Sequence, residues 1–485
     1  QDNANYIVKF LQGARDAWDV NVSWVGCWNE TAYDRNYLVN ILRPTLNSNG
    51  FSNVKIVASD YAWGYGTNWD ICNAFLSDTQ LRDTIDAVGN HYSMYYYPTW
   101  MPTQTAKNSG KPLWSSEDFS LSGHAWVNAK TFCLNPIIEY VEGKITKYEA
   151  WTPIDSYYDN MLYANVGVMT ADEPWSGYYV VEPAVWAAAH WTQFAEPGWK
   201  FLDSGCGRLA DGGGYVTLKK SDGSGNYSII IATGTAGETI TFSLTGGLSN
   251  DTAHVWKSDS ANQFVQQGDV TPVSGSFTIS CAPDSIYSIT TTTGQFKGTP
   301  AHTIPTSMDF PDSYSENFES YSSGVTPKYF ADMAGAFETA SRYGGAGKAL
   351  RQVVTSVPIS WPVYPTPEPW TDLGELLWQD VEISADALIE YSSGNVVLYA
   401  RATKYNFENN PPDGYALRVT RNGNWSLKEK NNILASGTVT FGSNTWHNLK
   451  LRCVGSNIKG YIDSVQVASV TNSAQASGMV GVGSG

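Results

Sequence analysis

Five short apolar segments recur along the N-terminal third of the chain, and each ends in polar or aromatic side chains. They comprise residues 22–28, 53–60, 86–92, 112–118 and 147–151, separated by 24, 25, 19 and 28 residues. Each interval has room for a loop and a crossover helix, and residues 4–18 have the apolar spacing of an amphipathic helix. Repeated strand–helix units with nearly continuous apolar strands predict a parallel sheet covered by helices. Polar residues gathered at the carboxyl ends of such strands are typical of a (β/α)8 barrel, also called a TIM barrel.

Five strands are three fewer than this barrel needs. At the norm of about 250 residues for the fold, three strands and roughly a hundred residues would precede Gln1. We therefore expect residues 1–199 to form the C-terminal five strands of a TIM-barrel catalytic domain, with the N-terminal strands missing from this chain. Because open strand edges would otherwise remain, we expect a missing N-terminal segment or a second chain to complete the barrel.

After residue 199 the pattern changes to short alternating segments with Gly-rich turns, such as YVTLKK and YSIIIATG. This alternation predicts a β-sandwich domain over residues 200–296. The Pro-rich residues 297–312 are the predicted linker. Residues 313–485 hold further strands, such as GNVVLYARAT, and resemble a jelly-roll, lectin-like β-sandwich that is incomplete at its C-terminus. The predicted fold class is therefore α/β plus all-β.

The composition limits the partners and the compartment. With 46 acidic and 30 basic residues the net charge is −16, which repels nucleic acids. No segment approaches the ~20 consecutive apolar residues of a transmembrane helix. The six cysteines form no CxxC motif, which argues against structural zinc and leaves disulfides open. Four Asn-x-Ser/Thr triplets predict N-glycosylation and a lysosomal or secreted protein: Asn21, Asn226, Asn250 and Asn424.

Two carboxylates form the candidate catalytic pair. Glu30 in GCWNE and Glu117 in WSSEDFS each end a predicted strand, so we expect both at the same rim of the barrel. A retaining glycosidase needs one carboxyl group to protonate the leaving oxygen and a second, about 5–5.5 Å away, to attack the anomeric carbon. The amide of Asn29 is placed to hydrogen-bond the sugar 2-hydroxyl. No cofactor is expected for this reaction.

The same residues also allow structural interpretations. Each glutamate can instead cap a strand or pair with an arginine, and the triplet beginning at Asn29 is also a glycosylation motif, which a catalytic pocket would exclude. Glu149 and Glu173 are rival carboxylates. Glu149 shares a strand face with Trp151 but has no preceding amide, so we rank it below Glu30.

Four further residues are predicted to bind sugar or to orient the carboxylates. Trp151 closes the fifth strand, where its ring can stack on a sugar, although a buried structural role fits it nearly as well. His91 and Tyr92 end the strand before that of Glu117 and can donate a hydrogen bond to the nucleophile or orient the acid, the alternative being core packing. Ser120, three residues after Glu117, is placed to contact the sugar or the neighbouring carboxylate.

A family resemblance is carried by GCWNE, VKIVASD, GKPLWSSEDFS, MTADEPWSGYYV and PAVWAAAHWTQFAEPGW, and later by LRQVV and PISW. These segments resemble the galactocerebrosidases, retaining β-galactosidases with a TIM barrel, a β-sandwich and a lectin domain. The likeness runs through essentially the whole chain, and WSSEDFS and EPWSGYYV are specific to it. The resemblance implies that Glu30 is the acid/base, that Glu117 is the nucleophile, and that Asn29, Ser120 and Trp151 contact galactose.

The resemblance also implies a substrate and partners. The family hydrolyses β-galactose from galactosylceramide in lysosomes, as part of sphingolipid metabolism, and in animals saposin A presents the lipid. Its lectin domain holds a calcium ion, and Asn317 and Glu319 occupy matching positions here. In the animal enzymes an arginine from a long sandwich loop reaches the galactose, whereas the loop after Ile231 is short and has no arginine. A β-galactan or other galactoside is therefore a rival substrate, and a catalytically inactive sugar-binding glycoprotein is the non-enzymatic alternative.

Overall fold

A computed structural model describes most of the 485-residue chain. The described residues are 1–62, 68–95, 97–119, 125–156, 166–171, 173–355, 368–406, 409–442 and 444–485. They divide into two compact units. The first is formed mainly by Gln1–Asp155 and Val180–His302, and the second mainly by Thr303–Gly485.

The first unit contains the predicted parallel sheet. Its five strands pair in chain order: β1 (Trp24–Gly26), β2 (Lys55–Tyr61), β3 (Ala87–His91), β4 (Leu113–Phe119) and β5 (Ile145–Trp151). Every adjacent pair is parallel. Strand β3 is buried along its whole length, as expected for a strand with both faces covered. The sheet has the sequential order of half a (β/α)8 barrel, which confirms this part of the prediction.

Helices lie before and between these strands and follow them. They are α1 (Asp2–Trp18), α2 (Arg43–Ser48) with a π-helical stretch before it (Tyr37–Leu42), α3 (Ile71–Ala74), α4 (Thr79–Thr84), α5 (Gln104–Lys107), α6 (Trp126–Gly143) and α7 (Pro183–Thr192). Helix α1 buries Ala4, Val8 and Leu11, the spacing of a one-sided apolar stripe. Helix α4 begins where the carboxylate of Asp78 accepts the N–H of Leu81 at 2.9 Å, which caps the first turn.

Twelve further strands lie in the described residues between 152 and 302. They are β6 (Ile154–Ser156), β7 (Met169–Ala171), β8 (Val180–Val181), β9 (Lys200–Phe201), β10 (Gly207–Arg208), β11 (Gly214–Lys219), β12 (Tyr227–Ala232), β13 (Glu238–Ser243), β14 (His254–Ser258), β15 (Val265–Gln266), β16 (Ser276–Cys281) and β17 (Ile286–Thr290). One antiparallel sheet has the order β10-β11-β12-β17-β14-β15, with β9 on β11, and β13 pairs with β16. Short 3-10 turns lie at Pro174–Ser176, Asp203–Gly205 and Ala210–Gly212.

Strand β12 is buried on both faces because it lies between two apolar layers. Tyr227, Ile229 and Ile231 belong to a cluster that includes β13 and β16. Ile230 and Ala232 belong to a second cluster with residues of α6 and α7. Burying each isoleucine contributes about 1.5–3 kcal/mol. The antiparallel sheet thus shares an apolar core with helices of the half-barrel.

His190 of α7 lies in this contact and is completely buried. Its Nδ1–H donates to Ser288 Oγ (2.8 Å), whose hydroxyl donates to the carbonyl of His190 (3.1 Å). Ser258 Oγ accepts the N–H of Phe264 (2.7 Å) and donates to His190 Nε2 (2.7 Å). A neutral imidazole satisfies every one of these groups, whereas a second ring proton on Nε2 would remove the acceptor of the Ser258 hydroxyl. Burial lowers the pKa of His190 to about 3.

We expect His190 to weaken the protein in acid. Because its pKa of about 3 lies below the ordinary value of about 6.5, the unfolded chain binds more protons between these pH values. The stability is complete above about pH 6.5 and is lost as the pH falls toward 3. His190→Gln should lower the free energy of unfolding at neutral pH, yet flatten its acid decline by up to about 1.4 kcal/mol per pH unit.

Urea unfolding at several pH values between 3 and 7, about one unit apart, measures this effect. His302→Gln, the same substitution at an exposed position, is the control and should leave the unfolding curves unchanged. An equal dependence on pH in His190→Gln and the unaltered protein would contradict the assignment.

The described strands of the second unit from Thr303 onward form antiparallel sheets. They are β18 (Ala331–Ala334), β19 (Phe337–Ser341), β20 (Lys348–Gln352), β21 (Trp370–Leu373), β22 (Val381–Ala387), β23 (Asn395–Asn406), β24 (Asn409–Thr420), β25 (Asn424–Glu429), β26 (Asn432–Thr438), β27 (His447–Val454), β28 (Asn457–Ile462), β29 (Val465–Thr471) and β30 (Met479–Ser484). One sheet has the order β18-β21-β30-β23-β24-β25-β26, another β22-β27-β28-β29, and β19 pairs with β20. Leu398 and Leu417 of the first sheet and Leu449 and Leu451 of the second share one core, so the two sheets form an antiparallel sandwich.

The predicted glycosylation positions differ in exposure. Asn21, Asn250 and Asn424 are exposed. Asn226 is half-buried, and its side-chain oxygen accepts a hydrogen bond from Thr291 at 3.0 Å. The first three therefore present the more accessible amides.

The sequence left disulfides open, and the structure describes all six cysteines. All six cysteines lie in described segments and are free thiols, five of them buried and one half-buried. Burial raises the pKa of the Cys133 thiol to about 12, so it stays protonated. Among the helices of the described segments, none has the length and hydropathy needed to cross a membrane.

Candidate active site

Side chains from several strand ends meet at the carboxyl rim of the parallel sheet. One oxygen of Glu30, one oxygen of Glu117 and one ring nitrogen of His91 all lie within 4.8 Å of one another. These residues follow or end different strands, and parallel pairing brings their carboxyl ends to one rim. The structure therefore brings together both carboxylates proposed from the sequence, and one of the residues expected to orient them.

Glu30 lies in the turn after β1. The strand ends at Gly26, earlier than the predicted segment 22–28, so Glu30 lies four residues beyond the strand. Its N–H donates to the carbonyl of Asp60 at 3.0 Å, and its φ of 51° is left-handed. The side chain is only 9% exposed. Its position therefore depends on the turn and on the neighbouring strand β2.

Two β-bulges lie beside the carboxylates. The register between β2 and β3 shifts at Asp60, because Asp60 is an extra residue in β2 with no pairing partner in β3. The register between β3 and β4 shifts in the same way at Ser116. Bulges redirect side chains and are frequent near active sites. Here the two bulged residues meet across β3, where Ser116 Oγ donates to Asp60 Oδ1 at 2.5 Å.

His91 ends β3 and lies among three carboxylates. Its Nδ1 is 3.3 Å from Glu30 Oε1 and 3.8 Å from Glu117 Oε2. Its Nε2 is 2.9 Å from Asp60 Oδ1. The side chain is 1% exposed. His91 is therefore the group that bridges the candidate catalytic pair.

Tyr92 holds the opposite side of the candidate nucleophile. Its hydroxyl donates to Glu117 Oε1. Its backbone is left-handed, with φ of 52°, and its ring meets that of His91 edge-on at 5.4 Å. Both oxygens of Glu117 thus lie near a donor group, one beside Tyr92 and the other toward His91.

Burial and charge act in opposite directions on this site. Burial alone would lower the pKa of His91, but hydrogen bonds to Asp60 and Glu30 and the charge of Glu117 raise it to about 9. Burial raises the pKa of Glu117, and the hydrogen bond from Tyr92 and the charge on His91 oppose that rise. Burial and the bond to Glu117 raise the pKa of Tyr92. At neutral pH the site therefore holds an imidazolium and a phenol that can donate to carboxylates.

Tyr92→Phe should shift the acidic limb of the pH profile. The lost hydroxyl stabilises ionised Glu117, so its removal raises the pKa of that carboxyl further. A nucleophile must be ionised, and activity is lost as the pH falls through its pKa. We expect the acidic limb of kcat/KM on an aryl β-galactoside to move up by about one pH unit.

Tyr6→Phe is the matched control, because Tyr6 is 70% exposed on α1. It should leave the profile in place. An acidic limb that stays where it is in Tyr92→Phe would show that this hydroxyl does not tune Glu117.

The remaining predicted contacts vary in their placement. Asn29 precedes Glu30 and is exposed. Trp151 is the last residue of β5, half-buried, and pairs in register with Phe119 of β4. Ser120 lies outside the described residues, so its predicted contact is untested.

The rival carboxylates have other partners. Glu149 forms an ion pair with Lys147 of the same strand, with a separation of 2.6 Å. Glu173 and Ser307 both belong to the second unit, where the Glu173 carboxylate accepts a hydrogen bond from the Ser307 hydroxyl. Neither belongs to the group of close ligand atoms formed by Glu30, His91 and Glu117.

Sequence reasoning missed Asp60 and Ser116. Asp60 ends the second apolar segment, 53–60, just as Glu117 and His91 stand at the ends of theirs. The same positional rule was therefore sufficient to find Asp60. Ser116 carried no such signal, because its inward direction depends on a bulge.

The metal ligands implied by the family resemblance are Asn317 and Glu319. In the second unit Asn317 and Glu319 offer the oxygen ligands that calcium prefers. Asn317 Oδ1 accepts the N–H of Glu319 (3.1 Å), and Glu319 Oε1 accepts the N–H of Lys348 (2.9 Å). These two residues fit calcium in ligand type but supply fewer than its usual six to eight oxygens.

Comparison with known proteins identifies relatives of this chain. Glycosyl hydrolase family 59 matches residues 1–193, and the galactocerebrosidase C-terminal lectin domain matches residues 332–485. The galactocerebrosidase of Homo sapiens is 33% identical, covering 96% of this chain and 69% of that protein. The Danio rerio galactocerebrosidase is 31% identical over 94% of this chain and 71% of its own length. Among solved structures, the catalytic domain of a GH30 xylanase C from Talaromyces cellulolyticus has a TM-score of 0.47 and 18% identity, covering 60% of this chain and 66% of that one.

These matches define the chain as a glycoside hydrolase. More narrowly, it belongs to the galactocerebrosidase family, glycosyl hydrolase family 59, as its resemblance in sequence indicated.

Proposed function

We propose that this protein is a retaining exo-β-galactosidase that releases terminal β-galactose from galactosylceramide-type glycolipids. The proposal depends above all on the spacing of the two carboxylates, since an oxygen of Glu30 and one of Glu117 lie within 4.8 Å. Retaining glycosidases hold their carboxyl groups about 5–5.5 Å apart, whereas inverting enzymes need about 6.5–9.5 Å for a water. The name of the relatives, galactocerebrosidase, supports the substrate.

The reaction has two displacements. In the first, Glu30 donates its proton to the glycosidic oxygen while Glu117 attacks the anomeric carbon, so the bond to the aglycone breaks and a galactosyl ester forms. In the second, Glu30 takes a proton from water, whose oxygen attacks the same carbon and releases Glu117. Galactose leaves with its β-configuration retained.

Neighbouring side chains serve this cycle in the proposal. His91 donates toward both carboxylates, and Tyr92 donates to Glu117, so each stabilises a charge that changes during the reaction. Asn29 contacts the sugar 2-hydroxyl, Trp151 stacks on the galactose ring, and Ser120 contacts the sugar.

The stereochemistry of the product tests the mechanism. With an aryl β-galactoside, proton NMR in the first minutes should show β-galactose before mutarotation. The appearance of α-galactose first would contradict double displacement. A galactoside that is not hydrolysed at all would instead support the inactive sugar-binding alternative.

One observation favours a second substrate class. Strands β12 and β13 are joined by residues 233–237 alone, and this connection contains no arginine. The resemblance implies that the animal enzymes use an arginine from this loop to hold galactose. We therefore propose a wider choice of aglycone that includes β-galactan. Parallel assays on galactosylceramide micelles, a β-linked galactan and an aryl β-galactoside test this, and turnover of the lipid alone would contradict it.

The surroundings of the catalytic unit are part of the proposal. Among the described strands, β1 pairs only with β2 and β5 only with β4, so both sheet edges are open. We propose that a further segment or a second chain supplies three strands and completes a (β/α)8 barrel.

A lipid-presenting protein of the saposin type would deliver the glycolipid. Three exposed glycosylation triplets support a lysosomal or secreted location.

We also propose a structural calcium ion in the lectin-like unit. Asn317 and Glu319 would hold it, and the ion would supply positive charge beside two side-chain oxygens without entering catalysis. Thermal unfolding with EDTA and with added calcium tests this. An unchanged Tm for the unaltered protein would contradict the site, whereas a calcium-dependent rise that Glu319→Gln removes would support it.

A further inference from the structure

Asp60 connects three parts of the candidate active site. Its carbonyl accepts the N–H of Glu30 at 3.0 Å. Its Oδ1 accepts both the Nε2–H of His91, at 2.9 Å, and the hydroxyl of Ser116, at 2.5 Å. One residue at the end of β2 therefore fixes the turn that carries Glu30, the ring on β3 and the bulge on β4.

We propose that Asp60 is a positioning residue that holds the His91 ring between Glu30 and Glu117, with Nδ1 directed at both carboxyl groups. This rests on the proposed function, because it takes Glu30 and Glu117 as the catalytic pair. Asp60 itself lies on the far side of the imidazole from the pair and acts through His91.

The geometry also explains why a protonated His91 ring suits this position. Since Nε2–H is engaged by Asp60, only Nδ1 faces the catalytic pair. A protonated Nδ1 donates to Glu30 at 3.3 Å and lies 3.8 Å from Glu117. A neutral ring with its proton on Nε2 would turn a lone pair toward Glu117 and repel this ionised nucleophile.

The charged groups around His91 all favour its protonation. They are Glu30 after β1, Asp60 on β2 and Glu117 on β4, while Tyr92 lies beside it on β3. Asp60 makes the shortest of the three carboxylate contacts. It is therefore the carboxylate whose neutralisation should affect the imidazole most.

The backbone at Asp60 determines which substitution is informative. Its φ of 59° is left-handed, a conformation that Asp and Asn adopt more readily than other side-chain-bearing residues. Asp60→Asn therefore keeps the backbone and a hydrogen-bonding oxygen while removing the charge. Asp19→Asn is the matched control, because Asp19 has a φ of 53° and is exposed at the end of α1.

The first measurement is the pH dependence of kcat/KM on an activated aryl β-galactoside, whose first step needs no proton from Glu30. Loss of the opposite charge should lower the pKa of His91 by about one to three units, so the alkaline limb should move down by the same amount. The loss of activity should appear in kcat more than in KM, because in this proposal Asp60 acts through His91 and does not bind the sugar. Asp19→Asn should keep the original profile. An alkaline limb unchanged in Asp60→Asn would overturn the proposal.

The second measurement needs neither substrate nor a variant at Asp60. NMR of histidine-labelled protein, with His91 identified by its absence in His91→Gln, follows the titration of the ring. In the unaltered protein it should stay protonated to about pH 9. Titration near the ordinary value of about 6.5 would overturn the proposal even if Asp60→Asn does not fold. If Glu117→Gln keeps its activity, the proposed function is rejected. The titration of His91 in the unaltered protein does not depend on that result.

Discussion

Glu117→Gln should abolish measurable turnover of every β-galactoside, whereas the effect of Glu30→Gln should depend on the leaving group. The amide of glutamine cannot form the glycosyl ester, so Glu117→Gln should abolish the turnover of every substrate. Glu30→Gln removes proton donation, which contributes about 10²- to 10⁴-fold on a poor leaving group such as a lipid alcohol. An activated aryl galactoside needs no such proton, so its first step should be nearly unchanged.

Burst kinetics with the aryl galactoside distinguish the two roles, since Glu30→Gln should accumulate the galactosyl ester and Glu117→Gln should not. Glu149→Gln is the matched control, because Glu149 stands on a neighbouring strand and is paired with Lys147 at 2.6 Å. It should keep the original activity. Equal losses for Glu30→Gln and Glu117→Gln on the activated substrate would contradict the assignment.

Gly89→Ala should both destabilise the protein and reduce its activity. A Cβ at Gly89 would lie 2.6 Å from Ser116 Oγ and 2.9 Å from Val57 Cγ2, distances that force a movement. Overpacking of this kind costs about 1–3 kcal/mol. The same movement should break the hydrogen bond from Ser116 to Asp60, which crosses β3 where Gly89 has no side chain. Urea unfolding and kcat on an aryl β-galactoside measure the two effects.

Gly13→Ala is the control for the substitution itself. Gly13 lies in α1 with nothing within 4 Å of an added Cβ, so alanine should stabilise the helix by about 0.5–1 kcal/mol. Gly89→Ala with unchanged stability and activity would show that β3 can accommodate a side chain at the rim. The steric account of the Ser116–Asp60 contact would then be wrong.

The parallel half-barrel was predictable because its evidence is local. Each strand is a short apolar run, and the intervals between runs have the length of crossover helices. Glu117 and Trp151 were accordingly found on the strands where they were expected, β4 and β5. The extent of β1 was less predictable: it ends at Gly26 because the following residues turn toward Asp60 of the next strand.

The candidate site was only partly predictable, because contacts within it depend on register. Glu30, Glu117, His91 and Tyr92 could be selected since each stands at or just beyond the end of an apolar run. The roles of His91 could not be separated, because its two ring nitrogens have different partners that only the fold supplies. His190 gave still less indication, since its serine partners lie 68 and 98 residues away.

By itself, the sequence determined the kinds of element, their order, and the strand ends at which polar chemistry would collect. These follow from apolar periodicity and spacing, which are properties of neighbouring residues. Only the tertiary structure decided that Asp60 and Ser116 face each other across Gly89 and that Asp60 holds His91 beside the carboxylates. The reason is that a bulge adds one residue to one strand of a pair. The direction of the extra side chain then depends on the register with the partner strand, which the local sequence does not specify.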